Sequence, residues 1–193
     1  MRIIKFPHPT LRHKSKPVTK VDQALKEMIG RMFELMYEGN GIGLAANQVD
    51  LPYRLLVINV ECDPAATDQE YVFINPVITH HKGVAEAEEG CLSFPGIYAP
   101  VRRSAKVVVS AYSLQGNELT YELDGLYARV AQHEIDHLDG ILFIDRLSPS
   151  AGLAVKQPLA ELEQQFHTDR RLGLIPDDDQ IAVRLAELEE VRT

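Results

Sequence analysis

Between Asp124 and Gly140 the chain carries Gln132-His133-Glu134-Ile135-Asp136-His137, and this segment constrains the fold more than any other. Asp124 is a good helix N-cap and Gly140 a good C-terminal stop, so the segment reads as a helix of about four turns. Two histidines four residues apart share one helix face, and their imidazoles can grip a single ion. Glu134, one residue round from the first histidine, can reach a water on that ion without binding the ion itself. This is the arrangement for metal-activated hydrolysis, with Glu134 as general base. The same spacing also arises where histidines merely cap or solvate a helix, so the rest of the ligand set has to be found elsewhere.

The flanking pattern predicts the scaffold. Residues 21–39 read as an amphipathic helix, with Val21, Leu25, Met28, Met32 and Leu35 on one stripe broadened by Ile29, Phe33 and Met36. Residues 54–60, 71–79, 105–112 and 118–123 read as strands rich in β-branched and aromatic side chains, and Gln115-Gly116-Asn117 suits a hairpin turn between the last two. Residues 1–20 read as irregular, 61–70 as a polar loop, and a polar stretch at Pro149 as the close of the core. Two more helices are expected at 153–171 and 177–192. Helix, strands, helix, with little βαβ alternation, predicts an α+β fold. Small antiparallel or mixed sheets would surround a central metal-binding helix, with an N-terminal helix and extra C-terminal helices.

At 193 residues the chain is long enough for one domain with a sizeable core. No apolar run approaches the ~18 residues that span a bilayer, and the N-terminus lacks the apolar core of a signal peptide. A cytoplasmic location with no membrane partner is expected. A net charge of −8 argues against a broad nucleic-acid-binding surface. Cys62 and Cys91 are too few for a disulfide framework, and in a reducing compartment a lone cysteine near histidines reads as a ligand or nucleophile.

Candidates for the third ligand differ in quality. An extended His-x-x-Gly-x-x-His motif would need a histidine where Phe143 stands, and Glu161 and Glu163 lie beyond a proline-marked break. Cys91, in Glu88-Glu89-Gly90-Cys91-Leu92-Ser93-Phe94-Pro95-Gly96, is the better candidate. One thiolate and two imidazoles leave a position open for water. Cys91 could also be a small buried hydrophobe, or share a closed structural site with Cys62. In Gly41-Ile42-Gly43-Leu44-Ala45-Ala46-Asn47-Gln48-Val49, the Gln48 amide can stabilise an oxyanion, and small residues such as Gly43 allow substrate backbone to approach closely. The same loop reads otherwise as a plain helix-to-strand connection. Glu89 and Arg103 are expected to pair and orient the Cys91 segment. Leu126 and Val130 share a face with His133 and His137, and with Ile42 opposite they would form an apolar substrate pocket. His8, His13, His80, His81 and His167 read as non-ligands.

Gly-Ile-Gly-Leu-Ala-Ala-Asn-Gln-Val, Glu-Gly-Cys-Leu-Ser-Phe-Pro-Gly and Gln-His-Glu-Ile-Asp-His-Leu-Asp-Gly, in this order, resemble the three motifs of peptide deformylases. Pro-His-Pro-Thr-Leu-Arg near the N-terminus resembles that family too. The similarity covers roughly residues 1–148, which implies a catalytic domain there. Residues 149–193 would then be a helical extension rather than an independent domain. The resemblance implies removal of the N-formyl group from the formylmethionine of new proteins, with release of formate. It implies that Cys91, His133 and His137 hold one ion per chain, usually Fe²⁺, with Zn²⁺ or Ni²⁺ able to take the same site. Glu134 would be the base, and Gln48 and the Leu92 N–H the oxyanion donors. N-formylmethionyl peptides and nascent chains would be the substrates.

Two other classes fit parts of the pattern: a zinc peptidase, and a non-catalytic metal-stabilised binding module. The poor downstream ligands count against the first, and an otherwise idle Glu134 and Gln48 against the second. From Asp177 on, acidic residues outnumber arginines, and Ile181, Leu185 and Leu188 make a narrow apolar stripe. That helix is expected to dock on the catalytic domain or on a second subunit, which allows a homodimer through the extension, and not to anchor the enzyme to the ribosome. Loss of the residues after Ser150 is expected to lower stability or change the oligomer mass, with hydrolysis largely retained.

Overall fold

The Asp22 carboxylate accepts the Leu25 N–H at 2.9 Å and starts the first long helix, α1 (Gln23–Glu38), in a computed structural model that describes residues 1–193. In chain order the strands are β1 (Gly43–Ala45), β2 (Leu55–Ile58), β3 (Tyr71–Lys82), β4 (Ala85–Cys91), β5 (Phe94–Arg103), β6 (Lys106–Tyr112) and β7 (Glu118–Asp124). Helices α2 (Gly125–Leu138), α3 (Pro149–Arg171) and α4 (Asp178–Arg192) follow. The fold is α+β, as expected. One antiparallel sheet runs β1-β2-β3-β6-β7, and β4 and β5 form a separate antiparallel hairpin.

Helix α2 lies among these parts. Ala128, Val130, Ala131, Ile135 and Leu138 pack on Leu56, Ile58, Phe73, Val107 and Val109 of the large sheet. The α1 stripe packs with Leu44, Leu55 and Val57 in a second apolar cluster. A third joins Phe94, Ile97, Ala99 and Val101 of β5 to Val155 of α3. Helix α2 ends where Gly140 takes φ 73°; a Cβ there would sit 2.5 Å from the Arg12 carbonyl oxygen.

Three sequence expectations need correction. The four strands read from the sequence leave out residues 85–103, which form the β4–β5 hairpin with Cys91 at its turn. Alanine and glutamate in β4, and Pro95, Gly96 and Pro100 in β5, mask its strand character. Pro149 does not close the core; it opens α3, where Ser148 Oγ accepts the Ala151 N–H at 3.2 Å. Asp124 precedes α2 but does not cap it, because its carboxylate faces Lys106 at 3.2 Å.

Helix α4 is folded against the N-terminal half. Ile181 and Leu185 are buried, and Leu188 packs on the α1 cluster. Tyr53 donates to the Leu188 carbonyl at 3.0 Å, Lys16 and His13 each lie 2.7 Å from the Glu189 carboxylate, and Arg192 lies 2.6 Å from Asp22. The hydrogen bond from Arg192 holds the Asp22 carboxyl down at about 2. Burial alone would raise Glu189, but bonds from Lys16 and His13 outweigh it and hold that carboxyl below its usual range. Depressed folded values mean that this stabilisation is complete above the unfolded pKa of about 4 and is lost as pH falls toward 2. A chain ending at Leu174 should melt about 4–8 °C lower at pH 7, roughly 2 kcal/mol. The gap should narrow between pH 4 and 2 as the Asp22 and Glu189 contacts are lost, with the apolar part remaining, as read by paired melting curves.

Candidate active site

Helix α2 turns His133, Glu134 and His137 inward, and the end of β4 brings Cys91 to them. The ligand atoms of Cys91, His133 and His137 all lie within 4.8 Å of one another. Cys91 Sγ is 3.3 Å from His137 Nε2. Cys91 reaches this position where the hairpin register breaks: Gly90 pairs with Tyr98, but Cys91 pairs with Phe94. Cys62 stands outside this group. Phe143 is buried with its ring 6.1 Å from that of His133, and Glu161 and Glu163 point to solvent from α3. The third donor therefore comes from the hairpin and not from downstream of α2.

These residues fit a divalent ion. A soft thiolate with two imidazoles suits a catalytic transition-metal site. The Glu89 carboxylate lies 3.0 Å from His133 Nδ1, which leaves Nε2 free to ligate. Glu134 Oε2 is buried without a partner in the protein, an unusual condition for a carboxylate unless it serves a ligand or reactant. Burial lifts the Glu134 carboxyl to about 7. Burial also pushes His137 well below its ordinary value, and the neighbouring His133 adds to this.

Gln48 sits in a short 3-10 turn, Ala46–Val49, and is buried. Its Oε1 accepts the Ala45 N–H at 2.8 Å, which turns its NH₂ toward Cys91 Sγ at 3.3 Å and Ser93 Oγ at 3.4 Å. The Leu92 N–H, in the tight turn after Cys91, donates to no group of the protein. A cavity of about 700 Å³ opens onto Cys91, His133 and Glu134. Ile42, Gly43, Leu126 and Val130 all line it, as do Gln48 and Leu92. A Cβ on Gly43 would stand 2.6 Å from Glu134 Oε1 and from Val130 Cγ1, so only glycine fits beside the glutamate.

Glu89 and Arg103 pair, as expected, but deep in the protein and within a larger network. Arg103 donates to Glu89 at 2.6 and 2.9 Å and to Asp136 at 2.7 Å. Arg129 donates to Glu89 at 2.5 Å, and Arg146 pairs with Asp136. Burial would raise Glu89, but bonds from His133 and Arg103 hold it at about 2. The network thus orients His133 through Glu89, not only the Cys91 segment. Asp136, Arg129 and Arg146 were not foreseen. The available signal was helical spacing: Arg129 lies four residues before His133 and Asp136 three after it. Arg103→Leu leaves two buried carboxylates short of a partner. It should cost about 3–5 kcal/mol of stability and weaken metal binding roughly 10–100-fold, as read by denaturant melts and chelator competition.

The site and its scaffold recur in known proteins. The sequence model of the polypeptide deformylase family matches residues 1–152. A peptide deformylase of Rhodopirellula baltica is 45% identical over 193 residues, 100% of this chain and 96% of that protein. The structure of Plasmodium falciparum peptide deformylase superposes with TM-score 0.85 at 39% identity, covering 86% of this chain and 98% of the other. Arabidopsis thaliana peptide deformylase 1B in complex with an inhibitor gives 0.84 at 38%, covering 92% and 97%. With its three motifs meeting around one thiolate–imidazole cluster, on a scaffold shared with these enzymes, the chain belongs to the polypeptide deformylase family.

Proposed function

We propose that Glu134, Gln48 and the Leu92 N–H carry out the chemistry by which this deformylase removes the formyl group from an N-terminal methionine, with Cys91, His133 and His137 as the metal ligands. What supports this assignment most is that the free Glu134 oxygen and the Gln48 NH₂ converge on the cavity that exposes Cys91 and His133. A divalent ion on those ligands acidifies water and polarises a carbonyl. The remaining work falls to the chain. Glu134, with its carboxyl near 7, takes a proton from the water that adds to the formyl carbon. The Gln48 amide, held by Ala45, donates to the formyl oxygen as it gains charge, and the Leu92 N–H is the second donor. The carbon–nitrogen bond breaks as Glu134 passes its proton to the α-amine, and formate leaves.

Ile42, Leu126 and Val130 receive the methionine side chain, while Gly43 lets the substrate backbone pass close to Glu134. The substrates are N-formylmethionyl peptides and nascent chains, and we place the enzyme in the bacterial cytoplasm. No helix is long and apolar enough to cross a membrane. Residues 1–148 are proposed as the catalytic part and 149–193 as an extension of the same folded unit. The acidic α4 speaks against direct contact with RNA, and solution mass tests a homodimer through the extension.

Release of formate from formyl-Met-Ala-Ser under anaerobic conditions tests the activity. Cleavage of the acetylated or unblocked peptide instead would point to a peptidase. One ion per chain is proposed, Fe²⁺ in the native enzyme. Activity should then decay in air within a preparation and persist after reconstitution with Ni²⁺, because an open thiolate–iron site invites oxidation and Cys91 itself is oxidisable. Equal air stability of all metal forms would remove iron from this account.

A further inference from the structure

Asp50 closes the turn that carries Gln48. It follows Ala46–Val49 at φ 66° and ψ 36°, in the left-handed region. An L side chain keeps that conformation only where its surroundings hold it. The Asp50 N–H closes the turn on the Asn47 carbonyl at 3.1 Å. Thr10 Oγ1 donates to Asp50 Oδ1 at 2.6 Å, and the Arg184 guanidinium forms an ion pair with the same oxygen at 2.5 Å. Arg184 also donates to the Asp50 backbone carbonyl at 3.1 Å. It thus hydrogen-bonds the backbone of the residue that ends the turn and faces its carboxylate as an ion pair outside hydrogen-bond geometry.

The Gln48 side chain is tied to Ala45, Cys91 and Ser93, as described above, and further ties on the turn come from the N-terminal segment. Ile4 N–H donates to the Gln48 carbonyl at 2.8 Å, and the Asn47 amide donates to the His13 carbonyl at 2.7 Å. Arg184 comes from α4, 134 residues beyond Asp50. Among the polar contacts to residues 46–50, it is the tie from the C-terminal extension. Its guanidinium suits this double contact, because a planar fork holds two N–H groups at fixed positions, whereas an ammonium is a point charge on a flexible stem.

From these contacts we infer that Arg184 is a positioning residue for deformylation: by clamping Asp50 it fixes the turn that aims the Gln48 amide into the cavity. The inference rests on the oxyanion-donor role proposed for Gln48. It gives α4 a part in turnover as well as in stability. Small displacements of a catalytic donor are costly, since an error of about 1 Å can lower a rate by about 10²-fold.

The test compares wild type, Arg184→Ala, Gln48→Ala and the double variant as metal-loaded enzymes, reading kcat, KM, metal content and Tm. Gln48→Ala should lower kcat by about 10²-fold. Arg184→Ala should lower kcat by about tenfold with KM and metal content unchanged, and Arg184→Lys should recover part of that loss. In the Gln48→Ala background, Arg184→Ala should change kcat by no more than about twofold, because the group it positions is gone. A fall in Tm alone, or the same kcat factor in both backgrounds, overturns the role of Arg184 and leaves that of Gln48 standing. An unchanged kcat in Gln48→Ala removes the donor and the inference with it. If the alanine variant does not fold, Arg184→Lys carries the four-way comparison: a kcat loss of about threefold is expected with Gln48 present and none with Gln48→Ala, and an equal factor in both backgrounds, or no loss in either, overturns the role of Arg184.

Discussion

Glu134→Ala is expected to keep one ion per chain and to lose activity by about 10²–10⁴-fold, the range for a lost general acid–base group. The carboxylate lies beside the ligands and outside the set that forms the metal cluster, so metal analysis should match wild type. If metal content falls together with activity, Glu134 is a ligand and not a base. The same residue carries a pH signature. Its folded value of about 7 lies above that of an ordinary glutamate, because burial disfavours the charge. The stability tied to its neutral form is therefore complete below about pH 4 and is lost as pH rises through 7. Glu134→Gln keeps the neutral shape at every pH. In chelated protein it should melt with wild type at pH 4 and above it at pH 8, a gain in stability at the expense of function. Melting curves across that range that stay parallel would contradict a buried, raised carboxyl.

Cys91→Ala should abolish metal retention, lowering affinity by at least about 100-fold, because a direct ligand matters more than the outer partners whose loss costs about 10–100-fold. Cys62→Ala should retain both metal and activity. Cys91 sits within ligand distance of His133 and His137, whereas Cys62 lies in the Glu61–Glu70 connection with φ 52° and takes no part in the cluster. Metal analysis after dialysis against chelator, followed by formate release, separates the two. Loss of metal from the Cys62 variant would revive a closed structural site.

The sequence alone determined the parts whose logic is local. Helices α1 and α2 are legible because a 3.6-residue period puts Leu25, Ile29 and Met32, or His133 and His137, on one face within a few turns. The β6–β7 hairpin is legible because Gln115-Gly116-Asn117 is turn chemistry between a valine-rich run and an alternating one, Glu118–Asp124, and Gly116 indeed has φ 80°. Residue chemistry nominated Cys91 and Gln48, and the resemblance of three motifs added Leu92, though nothing in their spacing could show their distances.

Tertiary structure alone decided the rest. The β4–β5 hairpin is held by pairing with itself and by packing of Phe94, Ile97 and Val101 beneath it, which overrides the poor strand propensity of Ala-Glu-Ala-Glu and the prolines of β5. The network from Arg129 through Glu89 and Arg103 to Asp136 and Arg146 joins α2 to the hairpin and to the segment after α2. Arg184 meets Asp50 across 134 residues. Apart from the expected Glu89–Arg103 pair and the helical spacing of Arg129 and Asp136 about His133, such pairs leave no period in the sequence. A charge at one position is equally compatible with water or with a distant partner, and only the packed chain, which removes the water, selects between them.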